Sequence, residues 1–199
     1  DALPLFSTAL SQTGLKNQAE AFNLQDATWS GTGLGIYSVA SNNPDGYNVA
    51  HYGGVTPWDI NSFVSASPTG TYNATEVTSG SGIAWSATGD KCYISDVDSD
   101  RVYQYTASTI YDITTLTYDN VFFDFSSESG INKSLAFNGA GTSFYMHTSS
   151  IIFQYNLTVA WDLSTASYSG KFFSTFAQAP NLVAMHMKPN EQSFYVADA

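Results

Sequence analysis

The stretch Trp85–Tyr93, WSATGDKCY, decides the reading of this chain, because the sequence returns to it. WSGTGLGIY (Trp29–Tyr37), FNGAGTSFY (Phe137–Tyr145) and MKPNEQSFY (Met187–Tyr195) share its plan. In each, an apolar residue precedes a tyrosine by eight positions, with a turn containing Gly or Asn between them. Successive copies start 56, 52 and 50 residues apart. A second landmark follows in the same order: VAHYGGVTPWDI (Val49–Ile60), VYQYTASTIYDI (Val102–Ile113) and IFQYNLTVAWDL (Ile152–Leu163) align without a gap. An aromatic or β-branched run closes each unit, as TGTYNATEV, DNVFFDFSS and SGKFFSTFA. Landmarks recurring in a fixed order define a repeat.

Each unit reads as four short strands, in the second copy near Gly82–Ser86, Lys91–Asp96, Arg101–Thr106 and Asn120–Ser126. Alternating aromatic and β-branched residues between Gly, Asn, Asp and Ser clusters favour strands over helices. Four strands every fifty residues or so predict an all-β fold, a β-propeller of four-stranded antiparallel blades. A single blade cannot bury both faces of its sheet, so neighbours must stack. The units run over 25–78, 79–129 and 130–179, with a partial one over 180–199. Residues 1–24 read as the outer strand of a preceding or closing blade, LPLFSTAL, plus a loop. The expected whole is an incomplete propeller, or a segment of a larger one. The innermost strands hold Trp29, Trp85, Phe137 and Met187, with Ala27, Ala84 and Ala136 where sheets crowd the axis. The pairs Trp58-Asp59, Tyr111-Asp112 and Trp161-Asp162 read as one shared turn, its Asp accepting backbone N–H bonds.

Composition narrows the function. Across 199 residues, 43% are hydrophobic and 15% aromatic, which marks a folded chain. Six Lys and Arg against 17 Asp and Glu give a net charge of -11. That balance speaks against nucleic acid, which needs clustered cations, and against an anionic membrane surface. No apolar run approaches the roughly 18 residues that span a bilayer. Cys92 is alone, so no intrachain disulfide forms. A polar surface of Ser, Thr, Asn and Gly suits secreted and virion-surface proteins.

Candidate chemistry is sparse. Asp96, Asp98 and Asp100 alternate as calcium-loop ligands do, but the sixth and twelfth positions are Arg101 and Ala107, where an EF-hand needs Gly and Glu. The triplet falls between the second and third strands of its blade, where the other copies carry SNNPDGYN and TSS. It reads as a hairpin loop, with an adventitious calcium site as the alternative and no other cofactor expected. His51, His147 and His186 fall on different strand classes and read as structural. Propellers usually bind ligands through the loops joining one blade to the next, here Thr78–Gly82, Ser126–Ser134 and Ala177–Asn181. Within these, Glu128, Asn132 and Lys133 form the candidate ligand group. Asn73, Asn132 and Asn156 head N-x-S/T sequons, acceptors for N-glycosylation where the pathway exists.

The pattern G-I-A-[WF]-x-x-x-G-x-x-x-Y, followed by [VI]-[YF]-Q-Y and [YW]-D-[IL]-[ST]-T, resembles YVTN-like and NHL-like propeller repeats. In particular it resembles those of marine phage virion and tail-associated proteins and of bacterial cell-surface proteins. The resemblance covers the chain from about Ala27 onward and implies fold far more than function. The expectation is a non-enzymatic structural or adhesive module, extracellular or on a virion. It would contact other protein subunits, a second copy of itself, or surface glycans. A lectin-like role would use Tyr47, Tyr52 and Trp58. A lactonase- or glycosidase-type enzyme would need carboxylates converging on the channel, and the innermost strands so read supply almost none.

Overall fold

The structure, a computed structural model, describes residues 23–41, 46–63, 67–128, 134–187 and 193–198. It is all-β, with four antiparallel sheets of four, four, four and two strands in which sequence neighbours pair. The first sheet is β1 (Asn23–Trp29), β2 (Gly35–Ser41), β3 (Val49–Gly53) and β4 (Gly70–Tyr72). The second is β5 (Gly80–Trp85), β6 (Lys91–Asp96), β7 (Arg101–Ala107) and β8 (Leu116–Asp124). The third is β9 (Leu135–Phe137), β10 (Ser143–His147), β11 (Ile151–Leu157) and β12 (Ala166–Ser174), and the fourth is β13 (Leu182–Met187) with β14 (Phe194–Asp198). The expected outer strand in LPLFSTAL lies outside the described residues.

The core lies between sheets. Tyr37, Val39 and Val49 of the first sheet pack on Ile83, Trp85 and Tyr105 of the second. Tyr93, Val102 and Phe125 pack on Phe144, Met146 and Tyr155 of the third. The second sheet is therefore packed on both faces, and every residue of its β5 is buried, as is every residue of β2 in the first sheet. The first strands of successive sheets, β1, β5, β9 and β13, lie side by side.

One turn is built three times. Gly33, Gly89 and Gly141 take positive φ (71°, 75° and 69°) between the first two strands of their sheets. Trp58, Tyr111 and Trp161 also take positive φ (61°, 57° and 63°), a costly region for a bulky residue. The glycines explain it. The backbone N–H of each aromatic donates to the carbonyl of its glycine at 2.8, 2.8 and 2.9 Å, and the ring lies over the glycine Cα. Asp59, Asp112 and Asp162 then cap short 3-10 turns, accepting from the N–H two residues on at 2.9, 3.0 and 3.0 Å. The shared-turn reading of these Asp pairs is what the structure shows.

Where the reading and the structure differ, a bulge is responsible. The fourth strand of the second sheet starts at Leu116, not near Asn120. Tyr105 pairs with Tyr118 and Gln104 with Val121, so Asp119 and Asn120 bulge out of the ladder, Asn120 at φ 56°. An Asp-Asn pair reads as a turn in sequence, but here it only interrupts pairing.

Cys92 is fully buried at the centre of the first inter-sheet core, and burial raises its thiol far above the ordinary range. The thiolate is the reactive form. Ellman's reagent at pH 8 should therefore find no thiol in the native protein and one per chain in guanidinium chloride. Rapid native labelling would contradict this packing.

Candidate functional site

Successive sheets are held together by contacts that repeat with the sequence. The hydroxyl of Tyr37 donates to the Tyr111 carbonyl of the next sheet, and that of Tyr93 to the Trp161 carbonyl at 2.6 Å. Gln104 Oε1 accepts from Leu163 N at 2.8 Å. Glu76 accepts from the hydroxyl of buried Tyr105 at 3.2 Å; Glu128 accepts from Ser127 Oγ at 2.7 Å, and, after burial, its charge is the next cause that raises the hydroxyl of Tyr155 in the sheet that follows. Glu128, expected to face a ligand, is thus tied to the sheet that follows it. Its expected companions Asn132 and Lys133 lie outside the described residues.

The acidic triplet is likewise drawn into the fold. Asp96 is fully buried; its carboxylate accepts from Ser79 N at 2.6 Å, Ser99 Oγ at 2.7 Å and Thr78 Oγ1 at 3.3 Å. Asp98 accepts from Thr78 Oγ1 at 3.4 Å, and Asp100 sits at φ 52° with its carbonyl accepting from Phe125 N. Among the described residues no three His, Cys, Asp or Glu side chains are grouped to hold a metal ion. Asn73 and Asn156 are exposed, as a sequon requires; Asn132 is outside the described residues. His51 stacks on Tyr37 at 4.6 Å, and the ring of His147 meets the Thr148 carbonyl at 2.8 Å.

Two hollows remain. One, of about 550 Å³, is bordered by Lys91, Gln104, Asp119 and Asp162 between the second and third sheets. Asp119, in the β8 bulge, accepts from Lys91 Nζ (2.9 Å), Gln104 Nε2 (2.7 Å) and Thr106 Oγ1 (2.6 Å). Burial pushes the Asp119 carboxyl up, but these bonds outweigh it and hold it below the usual range. The polar atoms here are spent on one another, so the network is structural.

The other hollow, about 360 Å³, lies among the four first strands, with Asp26, Trp29, Trp85, Phe137, Trp161 and His186 on its wall. Among the described residues no Lys or Arg lines it. Asp26 is the carboxylate that the sequence reading did not place. Three of the four first strands, β1, β5 and β13, have one extra residue in their pairing, between Leu24 and Asp26, Gly80 and Gly82, and Leu182 and Ala184. Counting back three from Trp29, Trp85, Phe137 and Met187 puts Asp26 in register with Gly82, Ser134 and Ala184. The position faces the next sheet's backbone. Asp26 Oδ2 accepts from Ile83 N at 3.2 Å while Oδ1 accepts from Ala27 N at 2.9 Å, and Ser134 Oγ accepts from Met185 N at 3.1 Å. At Gly82 a β-carbon would come within 2.9 Å of Leu135 N, so the backbones meet directly.

Asp26 is therefore the acidic version of an otherwise small or neutral inter-sheet contact. Removal from water pushes its carboxyl up to about 8, against the two backbone N–H donors that pull it down. A carboxyl shifted toward neutrality in a hollow is a recognised mark of proton-transfer chemistry. Aligning the repeats on the first strand, rather than reading its aromatic ends, is the signal that would have found it. His186 occupies the register of Ala84 and Ala136, and its side chain is exposed.

No protein-family model and no curated protein matches the chain. Solved structures do. A provisionally assigned 6-phosphogluconolactonase of Bacteroides uniformis superposes with a TM-score of 0.57 at 10% identity, over 86% of this chain and 48% of that one. A protein of unknown function from Desulfotomaculum acetoxidans gives 0.56 at 14%, over 88% and 51%. A luciferin-regenerating enzyme gives 0.59 at 16%, over 92% and 56%. At such identities the likeness is one of fold, and the chain spans about half the length of the structures it matches. It nonetheless corrects the expectation of a module without enzymatic activity. Two of these structures bear enzyme names, and Asp26 is a carboxylate on an innermost strand, where almost none was expected.

Proposed function

We propose that the chain is an arc of a β-propeller hydrolase acting on a small, uncharged cyclic ester, with the hollow among the first strands as its site. The observation that carries this is Asp26, a carboxyl held near neutrality on the wall of that hollow. Near pH 7 much of it is protonated. It can then donate to the departing ring oxygen as water adds to the acyl carbon and the acyl–oxygen bond breaks; the water's proton restores the acid. Trp29, Trp85 and Phe137 offer apolar faces to a ring's C–H bonds. A wall without Lys or Arg among the described residues, in a chain of net charge -11, favours a neutral lactone over a phosphorylated one. The enzyme names among the structural neighbours support the reaction class and nothing finer.

The repeat supplies the test. Asp26→Ser copies Ser134, whose hydroxyl makes the same inter-sheet bond, so the contact survives while the acid is lost. With δ-gluconolactone as probe, kcat should fall by about 10²–10⁴-fold with thermal stability near that of the parent. Equal activity in the two proteins would leave Asp26 as an inter-sheet contact alone.

A further inference from the structure

We infer that His186 is the base that takes the proton of the attacking water in the hollow where Asp26 serves as the acid. This rests on the hydrolase reading of that site.

The argument begins with a register that occurs in all four sheets. Thr28, Ala84, Ala136 and His186 each stand one place before Trp29, Trp85, Phe137 or Met187. Each pairs with the tyrosine of its own second strand, Tyr37, Tyr93, Tyr145 or Tyr195. All four line the hollow, so the position belongs to its wall in every sheet. Three of its occupants are small. The fourth is an imidazole on an exposed side chain.

The other groups on the wall are already committed. Among the described residues that line it, Asp26, Tyr111 and His186 are the ones that titrate. Asp26 accepts from Ile83 N and Ala27 N, and the Tyr111 hydroxyl donates to the Ala87 carbonyl at 3.0 Å. His51 and His147 are tied elsewhere, to Thr69 Oγ1 at 3.1 Å and to the Thr148 carbonyl at 2.8 Å. The His186 ring has no hydrogen bond among the described residues, so its nitrogens are available to a bound water.

The reaction needs such a group. An acid at the departing oxygen supplies one proton, while the attacking water must lose another to a different acceptor. A neutral imidazole nitrogen accepts it. The water oxygen bonds to the acyl carbon as the acyl–oxygen bond of the ring breaks. The departing oxygen takes the Asp26 proton, and the water's proton passes to His186. Its return to the Asp26 carboxylate through solvent resets both groups, so lactone and water give the hydroxy acid with no further reactant. Asp26 and His186 stand on β1 and β13, the outer two of the four first strands, with the rings of Trp85 and Phe137 on the inner two.

The test is His186→Ala, at an exposed position, assayed on δ-gluconolactone beside the parent and Asp26→Ser, with the protein-free rate subtracted. Its kcat should fall by about 10²-fold or more, with KM and the circular dichroism spectrum near those of the parent. Imidazole in the buffer, at about 50 mM, should restore about 10-fold of that loss in His186→Ala and none of it in Asp26→Ser. A residue that only shapes the wall is not replaced by a base in solution. Parent-like kcat in His186→Ala beside a crippled Asp26→Ser would overturn the role of His186 and leave Asp26 standing. A loss that imidazole leaves unrepaired would do the same. Parent-like kcat in Asp26→Ser, or a parent no faster than the protein-free reaction, would overturn the hydrolase reading and this inference with it.

Discussion

Gly89→Ala is expected to lower the unfolding free energy by about 2–4 kcal/mol, the largest loss for the removal of no group at all. Gly89 holds φ 75°, and a β-carbon there would meet the Tyr111 ring at 2.5 Å. Moving that ring disturbs more than one contact. Tyr111 is itself held at φ 57°, its N–H bonds to Gly89, and its carbonyl accepts from Tyr37 of the preceding sheet. The control is Gly46→Ala, where φ is 80° but nothing among the described residues lies within 4 Å of the new methyl. That variant should pay only the backbone cost, about 1–2 kcal/mol. Urea denaturation of the two variants checks the difference. Equal losses would mean that the aromatic cover contributes nothing beyond backbone strain.

The second large effect is a stability that falls as pH rises. The Asp26 carboxyl is held at about 8 in the folded chain against an ordinary 3.8. Between those values the native state binds more protons than the unfolded state, so unfolding free energy must decrease with increasing pH. The contribution is fully present below about pH 4 and is lost through pH 8. Water in the adjoining hollow screens the charged form, which brings the loss to the order of 1–3 kcal/mol instead of the full shift. Asp26→Ser should remove this slope while keeping the bond to Ile83 N. Thermal melts of both proteins from pH 4 to 9 decide it: the parent's melting temperature should drop relative to the variant's as pH rises. Parallel curves would show that Asp26 ionises as freely in the fold as in the open chain.

These two predictions fall on different sides of what the sequence could reveal. The glycine turn was legible because its parts recur. Gly33, Gly89 and Gly141 stand at one register, Trp58, Tyr111 and Trp161 at another, and each aromatic precedes an Asp that caps the turn. Asp26 was not legible from the same pattern. It stands where the other repeats carry Gly, Ser and Ala, so it breaks the repeat, and a search for recurrence passes over it. Glu128 shows the opposite limit. As a charged loop residue outside the repeat it was read as facing a ligand, and the influence of its carboxylate on Tyr155, 27 residues further on in the next sheet, cannot be read from the loop. Asp96 likewise accepts from Ser79 N, seventeen residues away.

The sequence by itself determined the all-β class, the period and the order of strands within each sheet. A period of fifty or so residues, with alternating apolar positions, leaves a sheet apolar on both faces, and such a sheet must stack on a copy of itself. Only the tertiary structure decided which polar residues were spent on that stacking and which were left over. Whether a carboxylate is a latch, a lone solvated charge or an acid near neutrality depends on the backbone N–H groups and the water within reach of its two oxygens. Those neighbours come from other sheets, and nothing in the local sequence records them.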